Sequence, residues 1–225
     1  HICVKTGDMD KAEKILKKVI DLNPEFAQAH KDLGVLYLSK RLFDYAEDEF
    51  SKALKLAPDN FEVLFEYANY LHATTNFEKA DEYYQKAIEI NPHNADALGF
   101  SALNKIHLNS LDKAYEQIKH AIEHDANNGF MYFIAGRIRF LQKMYEDAKM
   151  YFVKSYELEK TYDCEHMLGL CYYELGDYEQ ANGIFKHMLE KNPLNVNLLL
   201  NSAHCYEKLG DKDSALSVLD KVVDT

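Results

Sequence analysis

Apolar runs long enough to cross a bilayer are missing from this chain: none approaches the roughly 20 residues required, so membrane insertion is not expected. Basic charge is in deficit, with 26 Lys and Arg against 37 Asp and Glu and a net charge of −11. Affinity for nucleic acid comes chiefly from cationic side chains neutralising phosphates, so a generic nucleic-acid binder is excluded, and anionic membrane surfaces are disfavoured for the same reason. The opening residues HICVKTGDMDKAEK lack the basic, apolar and small-residue regions of a secretory leader. Cysteine is scarce as well. Cys3, Cys164, Cys171 and Cys205 form no CxxC pair and no zinc-like spacing, which predicts reduced thiols used as small apolar residues in a reducing compartment, the cytoplasm. No GxxxxGK[ST], GxGxxG or GxSxG is present. His120 and His124 stand four apart, a spacing able to share a metal, but the HExxH pattern is absent and both are expected to face solvent. No catalytic, cofactor-binding or metal-binding residue is therefore expected.

What is present is a soluble composition, 47% hydrophobic and 28% charged, and a period. Only four prolines occur, and three of them, Pro24, Pro58 and Pro92, are 34 residues apart; Pro193 falls one residue short of the continued series. Ala12, Ala46, Ala80, Ala114, Ala148, Ala181 and Ala215 keep the same register, with the single deletion between Ala148 and Ala181. With the proline numbered position 32, full repeats span 27–60, 61–94, 95–128, 129–161 and 162–195, flanked by partial repeats at 1–26 and 196–225. The whole chain reads as one solenoid domain.

Inside each repeat the apolar residues recur at three- and four-residue spacing in two runs of about a dozen, the pattern of two amphipathic helices. Position 16 holds Asp8, Asn76, Ser110, Asp177 or Asp211, predicted to cap the second helix. Asn60, Asn94, Asn128, Thr161 and Asn195 are predicted to cap the first helix of the repeat that follows. Gly7, Gly176 and Gly210 fall in the turn between the helices, where a left-handed backbone costs glycine little.

These residues make the chain resemble the tetratricopeptide repeat family, whose pattern places a bulky residue at position 4, Leu-Gly at 7 and 8, Tyr at 11, Ala at 20, an aromatic at 24, Ala at 27 and Pro at 32. Repeat 27–60 matches with Leu33, Gly34, Tyr37, Ala46, Phe50, Ala53 and Pro58; repeat 162–195 matches with Leu168, Gly169, Tyr172, Ala181, Phe185 and Pro193. The resemblance implies an all-α, right-handed superhelical solenoid of tandem helix-turn-helix repeats. Repeat 95–128 departs most, with Ser101, Lys105, Ile118 and Ala126 at positions 7, 11, 24 and 32, and a looser local geometry is expected there.

In this family the first helix of each repeat lines a concave groove, through positions 2, 5, 9 and 12. Those positions, with position 6 partly turned toward the groove, give Phe65, Asn69, Phe100, Leu103, Phe130, Phe133, Arg137, Phe140, Leu170 and Tyr173 as the expected partner-binding residues, with Ile134 and Met167 beside them. Aromatic residues and arginine are enriched at binding hot spots, and in repeat 129–161 three aromatics are expected to surround an arginine. The family's carboxylate clamp is not matched: Lys31 fits, but Val35, Glu66, Asp96 and Phe100 replace its other members. Of the asparagine ladder found in glycosyltransferase-linked arrays only Asn201 is present. His72, His107, His166 and His204 fall on or beside the groove face as polar lining. The expected function is a non-enzymatic scaffold or adaptor that binds a protein or peptide segment. The alternatives are a substrate-docking region of a larger enzyme, such as a glycosyltransferase, and self-assembly into a homo-oligomer through uncapped repeat ends.

Overall fold

The computed structural model describes residues 8–223, so Cys3 and Gly7 lie outside the described residues. Thirteen α-helices and no strand occur among them. The chain divides into two compact bodies. The N-terminal body, ending at His124, holds α1 (Met9–Leu22), α2 (Ala27–Ser39), α3 (Phe43–Leu56), α4 (Phe61–Ala73), α5 (Phe77–Ile90), α6 (Ala95–His107) and α7 (Leu111–His124). The C-terminal body, beginning at Asp125, holds α8 (Gly129–Leu141), α9 (Tyr145–Leu158), α10 (Tyr162–Glu174), α11 (Tyr178–Lys191), α12 (Val196–Leu209) and α13 (Lys212–Val223). Each body is a stack of helical hairpins, α2 with α3 through α12 with α13, and the fold class is an all-α repeat solenoid. Helix α1 is the second helix of the first, partial repeat.

One contact recurs inside the hairpins. Position 8 of the first helix faces position 24 of the second, and their sizes are matched: Gly34 with Phe50, Gly136 with Phe152 and Gly169 with Phe185, all three rings being fully buried. A Cβ added at Gly136 would lie 2.7 Å from the Phe152 ring, and one at Gly169 would lie 2.6 Å from the Phe185 ring. Where position 8 is alanine, at Ala68, Ala102 and Ala203, position 24 is Tyr84, Ile118 or Leu219 instead of phenylalanine. Ala46, Ala80, Ala114, Ala148 and Ala181, on the second helices, are wholly buried and bring the backbones close.

The turn between the two helices is the same in all six hairpins. Position 15 is left-handed, at Gly176 (φ 82°) and Gly210 (φ 79°) as expected, but also at Arg41 (φ 58°), Thr75 (φ 62°), Asn109 (φ 53°) and Lys143 (φ 61°). The next amide reaches back five residues, Leu42 N to Tyr37 O at 2.9 Å, Asn76 N to Leu71 O at 2.8 Å and Asp177 N to Tyr172 O at 2.9 Å, which closes a Schellman motif. Main-chain hydrogen bonds hold this conformation, so glycine is not obligatory. The capping expectation holds for six of its ten residues. Asn60, Asn94, Thr161, Asn195, Asp177 and Asp211 accept from the amide three residues on. Asp8, Asn76 and Asn128 make no side-chain cap bond. Asn128 donates to Asp125 at 3.2 Å, and Ser110 turns back toward Leu108 O at 3.5 Å.

Repeat 95–128 is not loosened by its unusual residues. Ser101 and Asn104 are fully buried, and Ile118 fills the position-24 site completely. Ser101 Oγ accepts from Gln85 and donates to Gln117, Asn104 donates to Phe77 O at 2.9 Å, and Lys105 pairs with Asp81. Satisfied polar groups replace the usual apolar contacts, so close packing is kept. At the outer helices apolar side chains stay in water: Ile15 is 60% and Leu22 83% exposed on α1, and Leu216 is 61% exposed on α13.

Two stability outcomes follow from this geometry. Alanine at Gly136 or Gly169 gains up to about 1 kcal/mol of helix propensity but overpacks a buried ring, so urea unfolding should show net losses of about 1–2 kcal/mol. Gly34→Ala, whose Cβ would sit 3.1 Å from Phe50, should lose less than either. Thr75→Gly relieves a β-branched residue of positive φ and should raise stability by about 0.5–1 kcal/mol in the same assay.

Candidate partner-binding groove

All ten expected groove residues are partly buried: none is sealed in the core and none stands free in solvent. Each therefore keeps part of its surface accessible. In the N-terminal body, α4 and α6 bring Phe65 and Phe100 together edge to face, with centroids 5.8 Å apart. Phe61 stacks on Phe65 at 5.8 Å. Asn69 is fixed by Tyr84, whose hydroxyl donates to Asn69 Oδ1 at 2.7 Å, while Asn69 Nδ2 donates to Glu66 at 3.2 Å. Burial holds the Tyr84 phenol well above its usual range, so this donor stays protonated. Leu103 is half-buried one turn beyond Phe100.

In the C-terminal body, α8 supplies Phe130, Phe133, Arg137 and Phe140, and α10 supplies Leu170 and Tyr173. Phe133 leans on the buried Phe152 at 5.8 Å, and the Arg137 guanidinium lies 6.0 Å from the Phe133 ring centroid. The other two aromatics take different places from those expected around the arginine. Phe140 packs edge-on to Tyr145 at 5.3 Å, and Phe130 lines a small pocket. Tyr173 packs edge-on to Tyr178 at 5.3 Å, and Leu170 rests on the core around Phe185. Among the position-6 residues, Phe100 and Met167 are half-exposed but Ile134 is fully buried. Its direction on α8 is inward, because Gly136 draws that helix against α9.

The clamp-like Lys31 is withdrawn from the groove: it is 7% exposed and its ammonium lies 2.7 Å from Asp32. The lone ladder residue, Asn201, donates to His166 Nε2 at 3.0 Å. Burial lowers the His166 pKa from its ordinary 6.5, which suits this acceptor role, although Asp163 pulls the other way. His72 Nδ1 lies 2.9 Å from Asn104 Oδ1; since Asn104 already donates its amide to Phe77 O, the proton belongs on His72. His120 is exposed as expected, and the exposed His124 bonds His93 at 3.0 Å. No group of three or more metal-ligating side chains gathers among the described residues. Cys164, Cys171 and Cys205 are buried and unpaired, with burial raising all three thiols, Cys171 to about 12 and Cys205 to about 11.

Sequence reading missed the pocket of about 110 Å³ beside Phe130 and Phe133, closed by Ser155, Glu159, Thr161 and Asp163. Its signal was the one-residue deletion at the end of repeat 129–161. A larger cleft of about 730 Å³ between α11, α12 and α13 holds none of the ten groove residues. No helix among the described residues is long and apolar enough to cross a membrane.

His166 gives a test of the groove's electrostatics. With a lowered folded pKa, the unfolded chain binds more protons below the ordinary histidine range, so stability should fall as pH drops through and below about 6.5. His166→Gln should remove that component, read as a smaller loss of unfolding free energy between about pH 7.5 and pH 5 than in the wild type.

Comparisons with known proteins agree with this architecture. A tetratricopeptide repeat family model matches residues 4–64 and 172–225, and a second tetratricopeptide repeat model matches residues 61–94. Tetratricopeptide repeat protein 6 of Homo sapiens is 40% identical over 62 residues, 28% of this chain and 12% of that protein. The photosystem I assembly protein Ycf3 of Cyanophora paradoxa is 31% identical over 32% of this chain and 49% of its own length. The chain thus spans half or less of these curated relatives. The crystal structure of YrrB, described as a TPR protein with an unusual peptide-binding site, superposes with a TM-score of 0.66 at 22% identity, covering 78% of this chain and 91% of that one. With the period, the hairpins and the matched family models in accord, this chain belongs to the tetratricopeptide repeat family.

Proposed function

We propose that this chain is a protein-interaction scaffold that holds a segment of another protein against the first helices of its hairpins and performs no chemistry itself. The observation that carries this reading is the uniform partial burial of the ten lining residues, six of them aromatic, on the first helices of four successive hairpins. Aromatic rings held on one side and wetted on the other are what a binding segment can cover at little entropic cost, because the rings are already ordered. Phe65 with Phe100 forms one such patch, and Phe133 with Arg137 forms another; charges around them would set register. Ycf3, by its name an assembly protein, and YrrB, by its description a peptide binder, are relatives of the kind this reading requires. The substrate-docking alternative has less support, because the only ladder asparagine, Asn201, is already engaged by His166.

Phe133 also packs against the core, so a charge there would disturb folding as well as binding. Arg137→Glu is a cleaner probe, and Phe65→Ala trims a ring that also rests on the core without introducing a charge. Peptides selected on the wild-type chain from a random library should lose roughly tenfold or more in affinity with one of these variants, whose circular dichroism should match the wild type. Selected peptides that bind both variants as tightly as the wild type would move the interface off these faces.

A further inference from the structure

Three features meet at the pocket beside Phe130 and Phe133. Between α9 and α10 only residues 159–161 intervene, where four residues join α3 to α4, α5 to α6, α7 to α8 and α11 to α12. No proline occupies this junction. Gly129 opens α8 where the other described repeats have Ala27, Phe61, Ala95, Tyr162 or Val196, and a Cβ there would lie 2.9 Å from Glu159 Cγ. Glycine therefore lets the Glu159 stem lie against the start of α8. Ser155, whose hydroxyl donates to Gly129 O at 2.8 Å, ties α9 to the same point.

The result is an aromatic floor with a negative rim. Phe130 and Phe133 form the floor, and Glu159 and Asp163 stand exposed at the mouth. Neither carboxylate has an ion-pair partner among the described residues, although fifteen such pairs occur elsewhere. Thr161 Oγ1 is occupied as the cap of α10, accepting from Cys164 N at 3.3 Å. Facing Asp163 from its own helix is His166, which burial favours in the neutral form and whose Nε2 is taken by Asn201, so it does not neutralise the site. The nearest groove cation, Arg137, lies one turn along α8 on the Phe133 ring and does not line the pocket.

Resting on the groove reading above, we propose that this pocket is a cation site that takes the ammonium of a lysine or the guanidinium of an arginine from the bound segment. The opening of about 110 Å³ has room for several water-sized groups, the scale of a short alkyl chain with its charged head. The aromatic faces attract the cation and its methylenes, and the two carboxylates take up its charge. A net charge of −11 steers basic segments toward the surface.

The test is a nuclear magnetic resonance titration of the isotopically labelled chain with n-butylguanidinium, n-butylammonium and butyrate. The two cations should shift the amides of residues 130–133 and 159–163, and butyrate should not. Glu159→Gln with Asp163→Asn, which keeps the shape of the pocket, should weaken the cations by about threefold to tenfold, and added salt should do the same. Gly129→Ala, which keeps both carboxylates but displaces Glu159, should weaken them in part. Equal shifts with butyrate, or cation binding unchanged in the double variant, would overturn the proposal. Library peptides that respond to Arg137→Glu but ignore the double variant and carry no basic residue would sink the cation site and leave the groove standing. Cation binding at the pocket with no peptide responding to the groove variants would do the reverse.

Discussion

The contact between a glycine at position 8 of one helix and a phenylalanine at position 24 of its partner limits how far apart the two helices can lie in three of the hairpins, and much else depends on it. Where a phenylalanine must be swallowed whole, as at Phe50, Phe152 and Phe185, the facing residue is glycine; where the facing residue is alanine, the partner side chain differs in shape or reach. Tyr84 shows how the candidate groove is linked to this packing. Its ring is fully buried in the same core cluster as Ala68, and its hydroxyl, unable to stay unpaired in the interior, finds Asn69 and so orients a candidate lining residue. The lining is arranged from behind, by core residues that never reach the surface.

Much of the fold was legible because the period leaves so little freedom. A 34-residue spacing of prolines and alanines placed the repeat starts at 27, 61, 95, 129, 162 and 196, where the first helices of the hairpins begin. The same spacing was silent on turns: Arg41, Thr75 and Lys143, unlike Asn109, do not look like left-handed residues, since the conformation there comes from main-chain hydrogen bonds shared by every hairpin. Caps were only partly legible. An asparagine or aspartate before a helix has several acceptors and donors in reach, and Asn128 chose Asp125 over the free amides of α8.

For the candidate groove, helical spacing selected ten residues that the fold leaves partly buried, because positions 2, 5, 9 and 12 share one side of any helix. It failed where a neighbour determines depth. Ile134 is drawn inward with α8, and Phe140 turns to Tyr145, neither of which can be read from the helix that carries them. Nor does composition reveal that Ser101, Asn104 and Lys105 form a satisfied polar interior, since each bond involves a residue from another helix.

The matched sizes at positions 8 and 24 also define what can be exchanged between repeats. A first helix carrying Ala102 set against a second helix carrying Phe152 would clash, and Gly136 set against Ile118 would leave a void, so single helices are not interchangeable parts. Whole hairpins travel better, because each carries both halves of its own contact, but a moved hairpin must also meet its new neighbour: Ser101, Asn104 and Lys105 bond to the preceding hairpin through Gln85, Phe77 and Asp81. Breaks at the loops between hairpins therefore cost less than breaks at the turns inside them, and least where no such polar bonds cross the boundary.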